Sequence, residues 1–185
     1  TMVVIDPVMG DNGELYPTIN KNIVENMKKL IKKSDIITPN LTEALYLLEK
    51  SYIKNINENE VKKMLIDLSN MGPRIVVITS IPDAIKSDNI DVFGYDRENN
   101  KFWKVGCKHI PVEFPGTGDA FTSVLIGSLL KGDSLPIALE RSAKFVSISI
   151  KESYGYNYPT KEGILLEKTL DILKIPIINS NYELL

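Results

Sequence analysis

The chain has 185 residues, 43% of them hydrophobic and 25% charged, with a formal net charge of −2. That length builds one domain with a sizeable core, and the near-balanced charge supplies no basic field for nucleic acid or an anionic membrane. One cysteine, Cys107, and one histidine, His109, exclude an intrachain disulfide and a multi-Cys/His zinc site, and fit a reducing, cytoplasmic setting.

Met2-Val3-Val4-Ile5 reads as a short strand covered on both faces, because its apolar residues do not alternate. It is too short for a signal peptide, and no apolar run is long enough to cross a bilayer. Residues 17–33 read as a helix with Ile19, Ile23, Met27, Leu30 and Ile31 inward, and with Lys28, Lys29, Lys32 and Lys33 on a solvated face. Residues 35–38 form a second short strand, and 41–50 a helix with Leu41, Ala44, Leu45 and Leu48 inward. Asn57 with Glu60 makes a capping box for a helix over 58–71, which Gly72 stops. Residues 74–79 are a third buried strand, and 91–96 and 101–106 an antiparallel hairpin. Cys107 and His109 share a face if this strand continues, as a nucleophilic pair or as plain strand residues. Helices follow from Asp119, from Ser134 with Pro136 to about Lys151, and from Thr160 to Leu173; the tail from Ile175 carries no clear pattern.

Strands alternating with helices specify a mostly parallel sheet covered on both faces. Such sheets bind ligands at the carboxyl ends of their strands. The polar clusters fall there: Asp6 after the first strand, Thr38 and Asn40 after the second, Thr79 and Ser80 after the third.

The sharpest motif is Phe114-Pro115-Gly116-Thr117-Gly118-Asp119 at the start of an apolar helix. Glycines let the backbone turn tightly and approach a ligand, and the N–H groups of a first helical turn favour phosphate. A carboxylate beside a phosphate cradle suits removal of a proton from an attacking hydroxyl, the chemistry of a small-molecule kinase. A tight loop with an ordinary N-terminal Asp is the plain alternative. Asp6-Pro7-Val8-Met9-Gly10-Asp11 brings two carboxylates to a strand end, as hard ligands for Mg²⁺ or as a turn. Tyr16 closes that loop, lining a pocket or packing. Asn40-Leu41-Thr42-Glu43 has the capping-box spacing, which is compatible with Glu43 also facing a hydrated metal. Thr79 and Ser80 could donate to a phosphate or end a strand. Phe114 could flank an adenine or belong to the core.

Asp-Pro-Val-Met-Gly-Asp at 6–11, Ile-Thr-Pro-Asn-Leu-Thr-Glu at 37–43, Val-Ile-Thr-Ser at 77–80 and Gly-Thr-Gly-Asp at 116–119, in this order, resemble the ribokinase superfamily and, within it, the pyridoxal (vitamin B6) kinases. The resemblance implies a ribokinase-like three-layer α/β/α domain over 1–185 that phosphorylates the 5′-hydroxymethyl group of a B6 vitamer with ATP. It implies Asp119 as general base, Gly116, Thr117 and Gly118 as anion hole, and Asn40 and Glu43 as organisers of Mg²⁺. It sets Asp6, Asp11 and Tyr16 near phosphates and metal, and Thr38, Thr79 and Ser80 on ATP. A monovalent cation is left open. The hydroxymethylpyrimidine phosphate kinases of thiamine synthesis are similar, but their last motif typically ends in Cys where this chain has Asp119. Chains of the family carry further β/α units ahead of the Asp-Pro-Val-Met strand, with much of the vitamin pocket and the homodimer contacts. The expectation is therefore a carboxy-terminal, nucleotide-binding portion whose amino-terminal units are missing. It would be competent in transfer or bind nucleotide without turnover, and its first strand would expose an edge.

Overall fold

The computed structural model describes residues 1–53, 55–83, 89–156, 159–177 and 180–185. A six-stranded sheet has the order β1 (Val4–Ile5), β4 (Ile36–Ile37), β5 (Ile75–Pro82), β6 (Asn89–Asp96), β7 (Lys101–Lys108), β8 (Tyr182–Leu184). β1, β4 and β5 run parallel, whereas β5 through β8 pair antiparallel, β8 returning to β7 after the last helices. A separate hairpin, β2 (Gly10–Asp11) and β3 (Glu14–Leu15), rises between β1 and the first helix.

Helices cover both faces. α1 (Lys21–Ile31), α2 (Leu41–Leu47) and α3 (Glu58–Asn70) bury Ile31, Leu45, Leu65 and Leu68 against Val76, Ile78 and Phe93. α4 (Thr117–Leu130) and α5 (Leu135–Tyr154) bury Phe121, Leu125 and Leu139 against Ile75, Val77 and Trp103. The alternation of Ile75, Val76, Val77 and Ile78 between the two cores is what a strand buried on both faces requires. The result is the expected three-layer α/β/α arrangement.

Several local expectations are corrected. α1 begins at Lys21, because Asn20 caps it by accepting from the Ile23 N–H. Its buried face carries Val24, Lys28 and Ile31, while Leu30 is exposed. Lys28 is thus not on a solvated face; its stem is covered and its ammonium pairs with Glu25 and Glu49, each at 2.6 Å. The segment from Thr160 is three short 3₁₀ turns, Thr160–Glu162, Leu166–Lys168 and Leu170–Lys174, rather than one helix. Gly163, at φ 84° and ψ −169°, breaks it. The patternless tail supplies β8 through its pairing with β7.

Candidate active site

Because β1, β4 and β5 are parallel, the residues just beyond them share one edge of the sheet. Asp6 and Thr38 meet there, with Thr38 Oγ1 donating to Asp6 Oδ1 at 3.2 Å. Thr38 Oγ1 also lies 2.9 Å from Thr122 Oγ1 of α4, in a buried hydroxyl pair. The start of α4 is correspondingly close: a Cβ added at Gly118 would lie 3.6 Å from Asp6 Oδ2. Burial pushes the Asp6 carboxyl up, the Thr38 bond opposes this, and the Asp119 charge adds to the rise.

The start of α2 is closed on itself. Asn40 Oδ1 accepts from the Glu43 N–H at 2.9 Å, and Glu43 Oε2 accepts from the Asn40 N–H at 2.8 Å, which satisfies two orphan helix donors reciprocally. Both side chains also reach the β2–β3 hairpin. Glu43 Oε1 accepts from the Met9 N–H at 2.9 Å, and Asn40 Nδ2 donates to the Gly10 carbonyl at 2.8 Å. Thr42 Oγ1 accepts from the Gly13 N–H at 2.9 Å. Glu43 is 4% exposed. Burial pushes its carboxyl up to about 7; the backbone donors of Met9 and Asn40 oppose that, and Asp6 adds to it.

The hairpin projects Asp11, whose Oδ1 accepts from the Asn12 N–H at 2.8 Å, while Asn12 Nδ2 reaches Glu113 Oε1 at 3.1 Å. The Tyr16 hydroxyl, half-turned to solvent, is pushed up by burial and then by the charges of Asp11, Glu43, Glu113 and Asp6. Tyr16 therefore faces the same carboxylates as the metal expectation.

α4 starts differently from α2. Its N-cap is Gly116 at φ 85° and ψ 2°, without a side-chain cap, and its first helical bond runs from the Ala120 N–H to the Gly116 carbonyl at 3.0 Å. The left-handed φ favours glycine. A Cβ there would meet nothing within 4 Å, so the space in front is open. Gly118 and Asp119 are exposed and Thr117 half-buried. This is a helix terminus whose positive end faces free space.

Thr79 and Ser80 stand at an irregularity of β5 between Ile78 and Ile81. Thr79 is tied to α2 by a bridge to Asn40, its N–H donating to the Pro39 carbonyl at 2.9 Å. Ser80 is exposed at φ 58°, an unusual conformation of the sort concentrated at working sites. Phe114, by contrast, is only 4% exposed. Beside the α4 loop lies a depression of about 610 Å³, lined by His109, Val112, Glu113, Pro115, Thr160 and Lys161. His109 and Cys107 do not form a nucleophilic pair: His109 lines this depression, and burial pushes the Cys107 thiol up to about 11.

Asp6, Asp11 and Glu43 do not converge as a ready three-carboxylate metal cage; among the described residues no group of three or more His, Cys, Asp or Glu does so. Both Glu43 oxygens are engaged by backbone N–H groups, and Asp11 sits out on the hairpin. The donor chemistry still fits Mg²⁺, which needs one or two carboxylates together with waters and phosphates. Asp6 feels the charge of Asp119, and Glu43 that of Asp6, so a cation would relieve repulsion at this edge. Thr122, Thr42 and Glu113 are site neighbours that sequence spacing did not single out.

The fold defines a ribokinase-like α/β protein, with a helix terminus at this edge that no side chain caps. Residues 1–163 match the family described as phosphomethylpyrimidine kinase, and the chain belongs to that family. It is 32% identical to a pyridoxal kinase of Dictyostelium discoideum over 96% of its own length and 59% of that protein's. It is 47% identical to a Bacteroides thetaiotaomicron protein described as a phosphomethylpyrimidine kinase and solved with pyridoxal; the TM-score is 0.96 over 100% of this chain and 65% of that one. Plasmodium falciparum PdxK, solved with AMP-PNP and PL, is 28% identical with a TM-score of 0.83, over 100% of this chain and 60% of that one. The chain thus spans about three-fifths of the length of these relatives. No described helix is long and apolar enough to cross a membrane.

Proposed function

We propose that this chain carries the nucleotide-binding and phosphoryl-transfer half of an ATP-dependent kinase acting on the 5′-hydroxymethyl group of pyridoxal or a related B6 vitamer. The observation that carries the reading is the uncapped start of α4, where Gly116, Thr117 and Gly118 leave an open helix terminus beside Asp119 and Asp6. Asp119 takes the proton of the hydroxymethyl group as its oxygen bonds to the γ-phosphorus. The bond from that phosphorus to the bridging oxygen breaks, and ADP leaves. The N–H groups of the α4 terminus stabilise charge on the transferring phosphoryl, since this chemistry depends on positioning and charge neutralisation. Mg²⁺, held by Asp6 and reached by Glu43 through water, would neutralise phosphate charge. Asp11, Asn40, Thr38, Thr79 and Ser80 flank the phosphates, and Tyr16 closes the loop beside them. The nucleotide base takes the depression beside Pro115.

A second reading has a specific basis: the matching family is described as phosphomethylpyrimidine kinase. The pyridoxal reading is favoured by the pyridoxal kinase relative and by the pyridoxal solved with the Bacteroides protein. The test is product formation by this chain from Mg-ATP with pyridoxal and hydroxymethylpyrimidine in competition. Preferential pyridoxal 5′-phosphate formation is expected. Preference for the pyrimidine would replace the substrate assignment, and ATP binding without any turnover would reduce the function to nucleotide binding.

A further inference from the structure

We infer that Gly163 is a positioning residue that fixes the Pro115–Gly116 peptide and with it the donors of the α4 terminus; this rests on the phosphoryl-transfer reading above. A Cβ at Gly163 would lie 3.1 Å from the Pro115 carbonyl oxygen, closer than most neighbours tolerate. Gly163 also holds φ 84° and ψ −169°, a region essentially reserved for glycine. The segment therefore needs glycine twice, for its own conformation and for its approach to the loop. Gly116 needs it only for conformation, since its own Cβ position is open.

The contact has a directional consequence. In a trans peptide the carbonyl and the following N–H point in opposite directions. With the Pro115 oxygen backed by Gly163, the Gly116 N–H points away from Gly163. Displacing that oxygen rotates the peptide and re-aims the N–H.

The segment that follows Gly163, from Leu165 to Thr169, is held by a buried hydroxyl ladder on α5. Ser153 Oγ donates to the Ser149 carbonyl at 2.6 Å and accepts from the Leu165 N–H at 2.8 Å. Ser149 Oγ lies 2.7 Å from Thr169 Oγ1, which donates to the Leu166 carbonyl at 3.2 Å. Ser149, Ser153 and Thr169 are all fully buried. Such polar groups are costly to bury unless paired, and here their pairing seats the 3₁₀ segment against α5, two residues beyond the Gly163 contact with the loop.

The experiment compares dissociation constants for Mg-ADP and for a non-hydrolysable Mg-ATP analogue in wild type, Gly163→Ala and Ser153→Ala. The terminus meets the γ-phosphoryl, so Gly163→Ala is expected to weaken the triphosphate analogue about tenfold and ADP less than about twofold, the loss of one well-aimed charge-assisted donor. Ser153→Ala, which leaves the loop free of new atoms, is expected to show the same split at about threefold, and it decides the matter if Gly163→Ala does not fold. Variants that match wild type, or that weaken both nucleotides in parallel, overturn the inference alone. Wild type that binds neither nucleotide overturns the kinase reading and the inference together.

Discussion

Two helices start at the same edge of the sheet and treat their free N–H groups in opposite ways. At α2, Asn40 and Glu43 satisfy each other's backbone donors and reach on to Met9 and Gly10. At α4, Gly116 offers no side chain at all. The first terminus is closed on the protein and sets where the β2–β3 hairpin lies. The second is left without a side-chain cap. The proposed site draws on both: rigid where the scaffold holds, unsatisfied where the proposal places a phosphate.

The sharpest break of this comparison is at Asp119. Asp119→Asn is expected to lower phosphoryl transfer by about 10²–10⁴-fold, the usual weight of a general base. Asp119 is exposed, so stability should change by no more than about 1 kcal/mol, the scale of a helix-terminus charge. ADP release and thermal denaturation measure the two effects, and full activity in the variant would contradict the assigned proton acceptor.

Next is the closed terminus. The Glu43 carboxyl is raised to about 7 from an ordinary 4.5, so between those values the folded chain holds a proton that the unfolded chain has lost. Its contribution is complete below about pH 4.5 and disappears as pH rises through about 7, on the order of 3 kcal/mol in all. Denaturation midpoints across pH 4–8 should decline more steeply in wild type than in Glu43→Gln. Parallel curves would remove Glu43 as the source.

The smallest effect compares two caps. Asn40→Ala should cost about 1–2 kcal/mol, because it removes a cap and a tie to the hairpin, and Asn57→Ala about 1 kcal/mol or less. Urea denaturation separates them, and equal losses would mean that the hairpin tie contributes nothing.

That last pair shows what could be read in advance. Asn40 with Glu43 and Asn57 with Glu60 have the same spacing and form the same capping box. Spacing predicts the box in both places. Only the fold shows that the first also grips Met9 and Gly10 while the second stands exposed. The layered α/β order and the edge residues Asp6, Thr38 and Asp119 were legible because buried strands and helix starts have local signatures. Thr122 was not, since its partner Thr38 is 84 residues away. The β2–β3 hairpin went unread although Asn12-Gly13 is a strong turn signal, because its two-residue strands leave no periodicity. The apolar spacing over 160–173 suits a helix, but Gly163 adopts a conformation that ends it.

The most direct test of the open-terminus account is a titration of Mg-ATP analogue into isotope-labelled chain, following backbone amide resonances. The account predicts large shifts at Gly116, Thr117, Gly118 and Asp119, with the mutually capped amides of Asn40 and Glu43 moving far less. Shifts concentrated at Asn40 and Glu43, or none at the start of α4, would contradict it.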